Sequence, residues 1–273
     1  MPLPEFPPNP ILNNVVQHYW YIERQFTPPD NTFDILPDTH IELIFNFGAP
    51  CYKTVNNELQ PLTSCFVVGL LDETIRIQAN GLVKFVCVRL YPWGFYELFG
   101  ELIRQPALGL LIKESLFDAQ AVHIQKQLAL SIDAAIDELQ CFLITNALMV
   151  TLQEPQLIQA AQEILAQKGN LSLEELASKT HVSIRTLRRK FTNTLGLAPK
   201  SFARTARFEA VRDALWQNPN ADLAEIALNT GYADQAHMQR EFRQFSARTP
   251  RQFAAEMRLA HQKMDHQIGR NIQ

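Results

Sequence analysis

Leu173-Glu174-Glu175-Leu176-Ala177, a turn at His181-Val182, then Ser183-Ile184-Arg185-Thr186-Leu187-Arg188-Arg189-Lys190-Phe191 with Gly196 and Pro199 beyond: this stretch decides the fold, because the chain repeats it. The second copy runs Leu223-Ala224-Glu225-Ile226-Ala227, Gly231-Tyr232, Asp234-Gln235-Ala236-His237-Met238-Gln239-Arg240-Glu241-Phe242 and Pro250. Each copy reads as two short helices joined by a tight turn, the second helix polar and basic on its outer face. That is the pattern of a helix-turn-helix, which lays a recognition helix into the DNA major groove.

The offset between copies is 50 residues before the turn (Ser172 with Asp222, Leu176 with Ile226) and 51 after it (Leu187 with Met238, Phe191 with Phe242, Pro199 with Pro250, Phe202 with Phe253). One residue has therefore been added in the second turn, at or near Gly231-Tyr232. Ser172 with Glu175, and Asp222 with Glu225, both have capping-box spacing, so the repeat extends to the helix starts. The shared apolar positions would pack each recognition helix on its own core. The polar positions between them differ, as in readers of different bases. Between the copies, Lys200 to Gln217 reads as one helix of roughly 27 Å. With its flanks it could hold two recognition helices in successive grooves, about 34 Å apart on one face of the duplex.

Charge divides the chain in the same place. The net charge is −3, but residues 1 to 152 carry 8 Lys and Arg against 16 Asp and Glu, whereas residues 153 to 273 carry 17 against 12. A basic DNA-contacting module joined to an acidic domain gives this asymmetry. At 273 residues and 47% hydrophobic content there is material for two cores. No apolar run approaches the ~20 residues of a membrane span, and Met1 to Pro10 lacks a signal-peptide pattern, so a soluble, cytoplasmic protein is expected. Cys51, Cys65, Cys87 and Cys141 form no Cys-x-x-Cys pair and read as reduced, mostly buried thiols.

The front half reads as strands: Ile41 to Phe47, Cys65 to Leu70, Thr74 to Gln78 and Val83 to Leu90, in an antiparallel sandwich or small barrel. On the first of these, His40 and Glu42 share one face, and Ile41 and Leu43 the other. Helical periodicity follows over Phe117 to Gln127, Ile132 to Leu148 and Gln156 to Gln167, the last ended by Gly169. The fold class is α+β: a β-rich sensor-like domain over 1–112, a helical segment for dimerisation or linkage over 113–152, an all-α double helix-turn-helix over 153–257, and a disordered tail over 258–273. Glu154-Pro155 marks the domain boundary, since proline suits a helix start.

The stretch from Pro155 to Met257 resembles the DNA-binding domain of the AraC-type transcription factors. The specific matches are Ser183 to Phe191, Gly196-Leu197-Ala198-Pro199, and Ile226-Ala227-Leu228-Asn229-Thr230-Gly231-Tyr232-Ala233-Asp234-Gln235-Ala236-His237-Met238. One departure is Ala247, where that family usually has Gly. The front half resembles, more weakly, a sensor-like domain of a subgroup of these regulators, through Tyr19-Trp20, Ile35 to Asn46, and Val86-Cys87-Val88-Arg89-Leu90-Tyr91-Pro92. The resemblance implies a cupin-like β-fold, followed by helices that dimerise in many relatives. It names no effector.

On this basis Arg185, Arg188 and Arg189 in the first recognition helix, and Gln235, His237 and Arg240 in the second, match base-reading positions; Arg suits guanine and Gln suits adenine. For each arginine the alternative is a phosphate contact alone, and for the second set a solvated polar face. Ser183, Lys190, Lys200, Arg204, Arg207 and Arg243 are candidate phosphate contacts. In the front domain, His40, Glu42, Arg89 and Trp93 could line an effector pocket, or form a structural polar cluster. No metal site or cofactor is expected, because a metal-binding cupin needs more histidines than His40-x-Glu42 supplies. The expected partners are double-stranded DNA, a small-molecule effector and RNA polymerase, with the chain a monomer or homodimer and no membrane attachment. Three functions stay open: an effector-controlled regulator, a regulator whose front domain only dimerises, and a cupin-type enzyme tethered to DNA.

Overall fold

The computed structural model describes residues 4–55, 58–100, 109–111, 117–147 and 154–270. The strands are β1 (Glu5–Phe6), β2 (Val16–Phe26), β3 (Thr32–Ile35), β4 (Ile41–Asn46), β5 (Cys51–Val55), β6 (Glu58–Pro61), β7 (Cys65–Val68), β8 (Ile75–Ala79), β9 (Gly81–Leu90) and β10 (Leu110–Leu111). They form a six-stranded sheet, β1-β2-β9-β4-β7-β10, facing a four-stranded sheet, β3-β8-β5-β6.

Both faces of the larger sheet are covered. Ile44, Phe66, Val68, Phe85 and Cys87 point into the space between the sheets, where they meet Phe26, Cys51, Ile77 and Ala79. The alternate residues Ile41, Leu43, Phe45, Val67, Val86 and Val88 point the other way, beneath helices. Two buried faces explain why β7 and most of β9 read as unbroken apolar runs rather than alternating ones. β2 differs: its Gln17, Glu23, Arg24 and Gln25 are exposed between buried Val16, Tyr19, Tyr21 and Phe26, and this mixed spacing gives no clean alternation.

The helices are α1 (Pro92–Phe99), α2 (Asp118–Leu128), α3 (Ile132–Ala147), α4 (Pro155–Ala166), α5 (Leu173–Thr180), α6 (Ile184–Leu195), α7 (Pro199–Gln217), α8 (Leu223–Asn229), α9 (Gln235–Ser246) and α10 (Pro250–Arg270). The duplication is explicit in their termini. Thr180 and Thr230 each donate a side-chain hydrogen bond back to the backbone, to Leu176 O at 2.8 Å and Ile226 O at 2.7 Å. His181 and Gly231 hold the left-handed turn position with φ of 56° and 77°. Ser183 and Asp234 cap the recognition helices α6 and α9. Val182 N and Tyr232 N bond equivalent carbonyls, Ala177 O and Ala227 O, so the extra residue of the second turn is Ala233.

Two details differ from expectation. Ser172 and Glu175 complete a reciprocal capping box, whereas Asp222 caps α8 by accepting from Ala224 N at 2.9 Å. The chain beyond Met257, expected to be a disordered tail, continues α10 to Arg270. Pro is absent there, and the helix is anchored by Arg258 Nη1 donating to Pro219 O at 3.0 Å and by an edge contact between Trp216 and His261. The expected boundaries at 112/113 and 152/153 fall on residues outside those described, as does Leu148.

The first unit does not stand alone. Leu157, Ile164, Leu176, Leu187, Phe191 and Phe202 belong to one continuous core with Tyr19, Trp93, Phe95, Phe99, Phe117 and Leu139 of the front half. The second unit has its own core of Phe208, Val211, Leu215, Met238, Phe242, Phe245 and Phe253. α7 supplies residues to both. The apolar faces of α2 and α3, through Ile124, Ile136, Leu139 and Leu143, are turned into the first core rather than outward.

Candidate nucleic-acid interface

α6 begins at Ser183, whose hydroxyl accepts from Thr186 N at 3.1 Å, and ends at Gly196 with φ 75°. α9 begins at Asp234, which accepts from His237 N at 2.6 Å, and ends at Ala247 with φ 56°. Leu187 and Phe191 are buried on α6, and Met238 and Phe242 on α9, at matching positions. The opposite faces carry Arg185, Arg188 and Arg189, all exposed, and Gln235, His237 and Arg240, of which Arg240 is exposed and the other two half-buried. Tyr232 packs its ring edge to face with His237 at 5.3 Å.

The candidate phosphate contacts separate into two groups. Lys200 and Arg243 are exposed. Lys190 is paired with Glu154. Arg204 donates through Nε to Glu241 at 2.7 Å and through Nη2 to Gln244 at 2.7 Å, and Arg207 lies over the Tyr232 ring at 5.3 Å. Both arginines therefore face α9, not open solvent.

The candidate pocket residues meet at a junction between the two halves. On β9, Arg89 pairs across the strand with Glu42 at 2.7 Å, and reaches Asp38 at 2.6 Å and His40 Nδ1 at 3.1 Å. It also reaches Glu209 of α7, 3.4 Å away, which accepts a hydrogen bond from Thr39 at 2.7 Å and pairs with Arg212 at 3.2 Å. Tyr91 stacks on Trp93 at 4.8 Å and touches His40, while Trp93 Nε1 donates to Asn14 O. These residues fill space rather than line it. Asp38, His40 and Glu209 do bring potential metal-ligand atoms within 4.8 Å of one another. The Arg89 guanidinium already occupies the middle of that group.

Electrostatics follow from this crowding. Burial is the largest influence on Asp38 and works against its charge, but Arg89, Arg212 and the backbone N–H of His40 act together against burial, and the carboxyl lies below its usual range. Burial raises Glu42, and burial with the neighbouring Asp38 raises Glu209. Burial and Arg89 depress His40 to about 3, so its imidazole is neutral.

Two further contacts cross the junction: Arg248 pairs with Asp34, which also accepts from Arg76 at 2.8 Å, and Thr74 donates to Phe245 O at 2.9 Å, at the end of α9. Beside them lies a cleft of about 990 Å³ whose lining mixes Arg24, Arg76, Arg212 and Arg248 with Asp34, Asp213 and Glu256, over an apolar floor that includes Phe33, Trp216 and Met257. Sequence reasoning missed Asp34, Glu209, Arg248 and this cleft. Pairs separated by 120 or more residues leave no local pattern to find. Among the described residues no helix is long and apolar enough to cross a membrane.

The doubled unit and its appended sheet resemble an AraC-type regulator with an N-terminal domain. In particular, residues 176–256 match a family described as "Helix-turn-helix domain", and residues 4–106 match "Domain of unknown function (DUF6597)". An uncharacterized HTH-type transcriptional regulator of Staphylococcus aureus (strain MSSA476) is 32% identical over 87 residues, 32% of this chain and 12% of the relative. The chain thus spans about an eighth of the length of the curated relatives it matches. Among solved structures, ToxT from Vibrio cholerae superposes with a TM-score of 0.52 at 9% identity, covering 88% of this chain and 98% of ToxT, which establishes the shared fold. A regulator from Chromobacterium violaceum with an AraC-type DNA-binding domain is 28% identical, covering 38% of this chain and 93% of its own, with a TM-score of 0.36.

Proposed function

We propose that the chain is a sequence-specific regulator that places α6 and α9 in successive major grooves of double-stranded DNA. Arg185, Arg188 and Arg189 read one half-site; Gln235, His237 and Arg240 read the other. The observation that carries this is the equivalence of the two recognition helices: the same cap position, the same left-handed end, the same buried pair, and different polar faces. Lys200 and Arg243 are the free phosphate-contact candidates. Selection of bound sequences from a pool of random duplexes by the full chain tests the reading. It should return an asymmetric motif with two parts about one helical turn apart. Recovery of a single short block would overturn the two-groove reading.

The front domain acts as the control element, with 1–112 as sensor and 153–257 as reader. The interdomain cleft is the candidate effector site: aromatic, aliphatic and thioether side chains line it beside arginines paired with Asp34, Asp213 and Glu256, so it suits a molecule with an apolar body and a polar end. One solved ToxT structure is bound to an unsaturated fatty acid and another to a naphthalenyl-butenoic acid, so carboxylic acids are the first compounds to screen. A selective ligand must raise the melting temperature by mass action. His40, Glu42 and Arg89 would then serve as the latch beside the effector, with Trp93 as its support. The chain acts by binding rather than by catalysis, and contact with RNA polymerase is the step that follows on DNA.

A further inference from the structure

Glu241 sits on α9 between the reading face and the second core, and is 6% exposed. A carboxylate in that position needs compensation, and it is supplied from one neighbouring helix and one turn. Arg204 Nε donates to Oε2 at 2.7 Å, and Tyr232 OH donates to Oε1 at 2.9 Å. Arg207 Nε stands 4.0 Å from Oε1, buried and otherwise without a hydrogen-bond partner, with its guanidinium over the Tyr232 ring. Arg204 also binds Gln244 one turn further along α9 and lies 5.4 Å from the Phe245 ring. Two α7 arginines and the residue after the second turn's glycine thus hold one face of the recognition helix at two successive turns.

Resting on the DNA reading above, we propose that Glu241 is the positioning residue of the second reader, and that Arg204 and Arg207 work through it rather than through phosphate. The first unit has Lys190 at the equivalent position, exposed enough to pair with Glu154 instead. The device therefore belongs to the second unit alone. It fixes the roll of α9 about its own axis, and so which of Gln235, His237 and Arg240 face the bases. Hydrogen bonds to a charged group held out of water are strong enough for this, and losing one leaves the other partner unsatisfied.

The test uses the full chain and the duplex it selects, beside a duplex whose second half-site is scrambled. Glu241→Gln should weaken binding to the intact site roughly tenfold, the loss of one charge-assisted hydrogen bond. On the scrambled duplex it should bind like the unchanged protein. Arg204→Gln should behave alike, with the dependence of affinity on salt unaltered, and Glu241→Asp should recover most of the loss. The opposite result is equally legible. If the arginines contact phosphate, Glu241→Gln releases them and tightens binding to both duplexes, and Arg204→Gln weakens both while lowering the salt slope by about one. Either finding overturns the proposal. Should Glu241→Gln melt early, Arg204→Gln, at a half-exposed site, carries the comparison. Failure of the unchanged chain to select any sequence removes the DNA reading and this proposal with it, whereas a selected site bound equally by all variants removes the positioning role alone.

Discussion

Arg89 of β9 and Glu209 of α7 lie 120 residues apart in sequence and 3.4 Å apart in space, and through them the β-sandwich grips the helix that joins the two readers. Arg89 is 14% exposed and also serves Asp38 and Glu42, so its removal strands buried carboxylates. Breaking such a pair by deleting one partner costs about 3–5 kcal/mol. Arg89→Ala should therefore lose most of the stability of the junction, and urea unfolding of the full chain should split into two transitions. Glu209→Gln should cost less, because burial and Asp38 already favour the uncharged carboxyl.

His40 gives the junction a signed pH response. Its folded value of about 3 lies below its ordinary 6.5, first through burial and then through Arg89. The unfolded chain binds a proton below pH 6.5 that the folded chain refuses until about pH 3, so this histidine's contribution is present above 6.5 and falls as pH drops through that window. Asp38, Glu209, Arg212 and His18 also face it. Glu97 acts in the opposite sense: burial raises it to about 7, so its contribution is lost as pH rises from 4.5 through 7. The clean comparison is thus between variants. His40→Gln should show a smaller drop in melting temperature between pH 6.5 and 4 than the unchanged protein; an equal drop would remove His40 from the account.

Base reading and phosphate binding leave different signatures. Arg188→Ala should cost about 1–3 kcal/mol on the preferred duplex and relax preference at one base pair. Lys200→Ala should weaken every sequence alike and reduce the salt slope by about one. Titrations of both variants at several salt concentrations, on matched and mutated duplexes, separate the two roles.

The left-handed ends of the recognition helices make a matched pair of stability tests. Gly196 and Ala247 occupy equivalent positions with φ of 75° and 56°. Ala247→Gly relieves the Cβ and should stabilise by up to about 1 kcal/mol, and Gly196→Ala should destabilise by a similar amount. Calorimetry that found both changes neutral would show that the helix ends relax freely.

Gly231 carries a steric constraint as well as φ 77°: a Cβ there would lie 2.4 Å from the Asn170 side chain. Gly231→Ala should destabilise by more than Gly196→Ala. Adding Asn170→Ala should return part of the loss, which thermal unfolding of the single and double variants would reveal.

Much of the fold was legible because the repeat repeats its chemistry. Threonine, turn, cap, leucine or methionine, and phenylalanine recur at fixed offsets, and α4 through α9 stand within a residue or two of where periodicity puts them. His40-x-Glu42 was legible as a shared face of one strand. Glu42 and Arg89 sit on adjoining strands, with His40 just ahead of the first, but the occupant of the space was not legible: Glu209, accepting a hydrogen bond from Thr39, closes it from a helix whose own pattern concerns DNA. The same limit applies to Arg204 and Arg207, basic residues on a linker beside readers, which turn inward because Glu241 is buried opposite them. Core continuity was likewise hidden, since the cluster that holds Phe191 and Phe202 runs on into Trp93, Phe95 and Phe99 of the front half.

α7 is held on one side by the sandwich and on the other by α9, which makes it a lever with two loads. Its 19 residues span about 28 Å. The Arg89 grip is at Glu209, about 15 Å from the Pro199 end, so a tilt of about 10° there would swing that end by roughly 2.6 Å, comparable to the ~3.4 Å rise of one base-pair step. A molecule seated between sandwich and lever could thus alter which spacing of half-sites the protein accepts while touching neither DNA nor any residue that reads it.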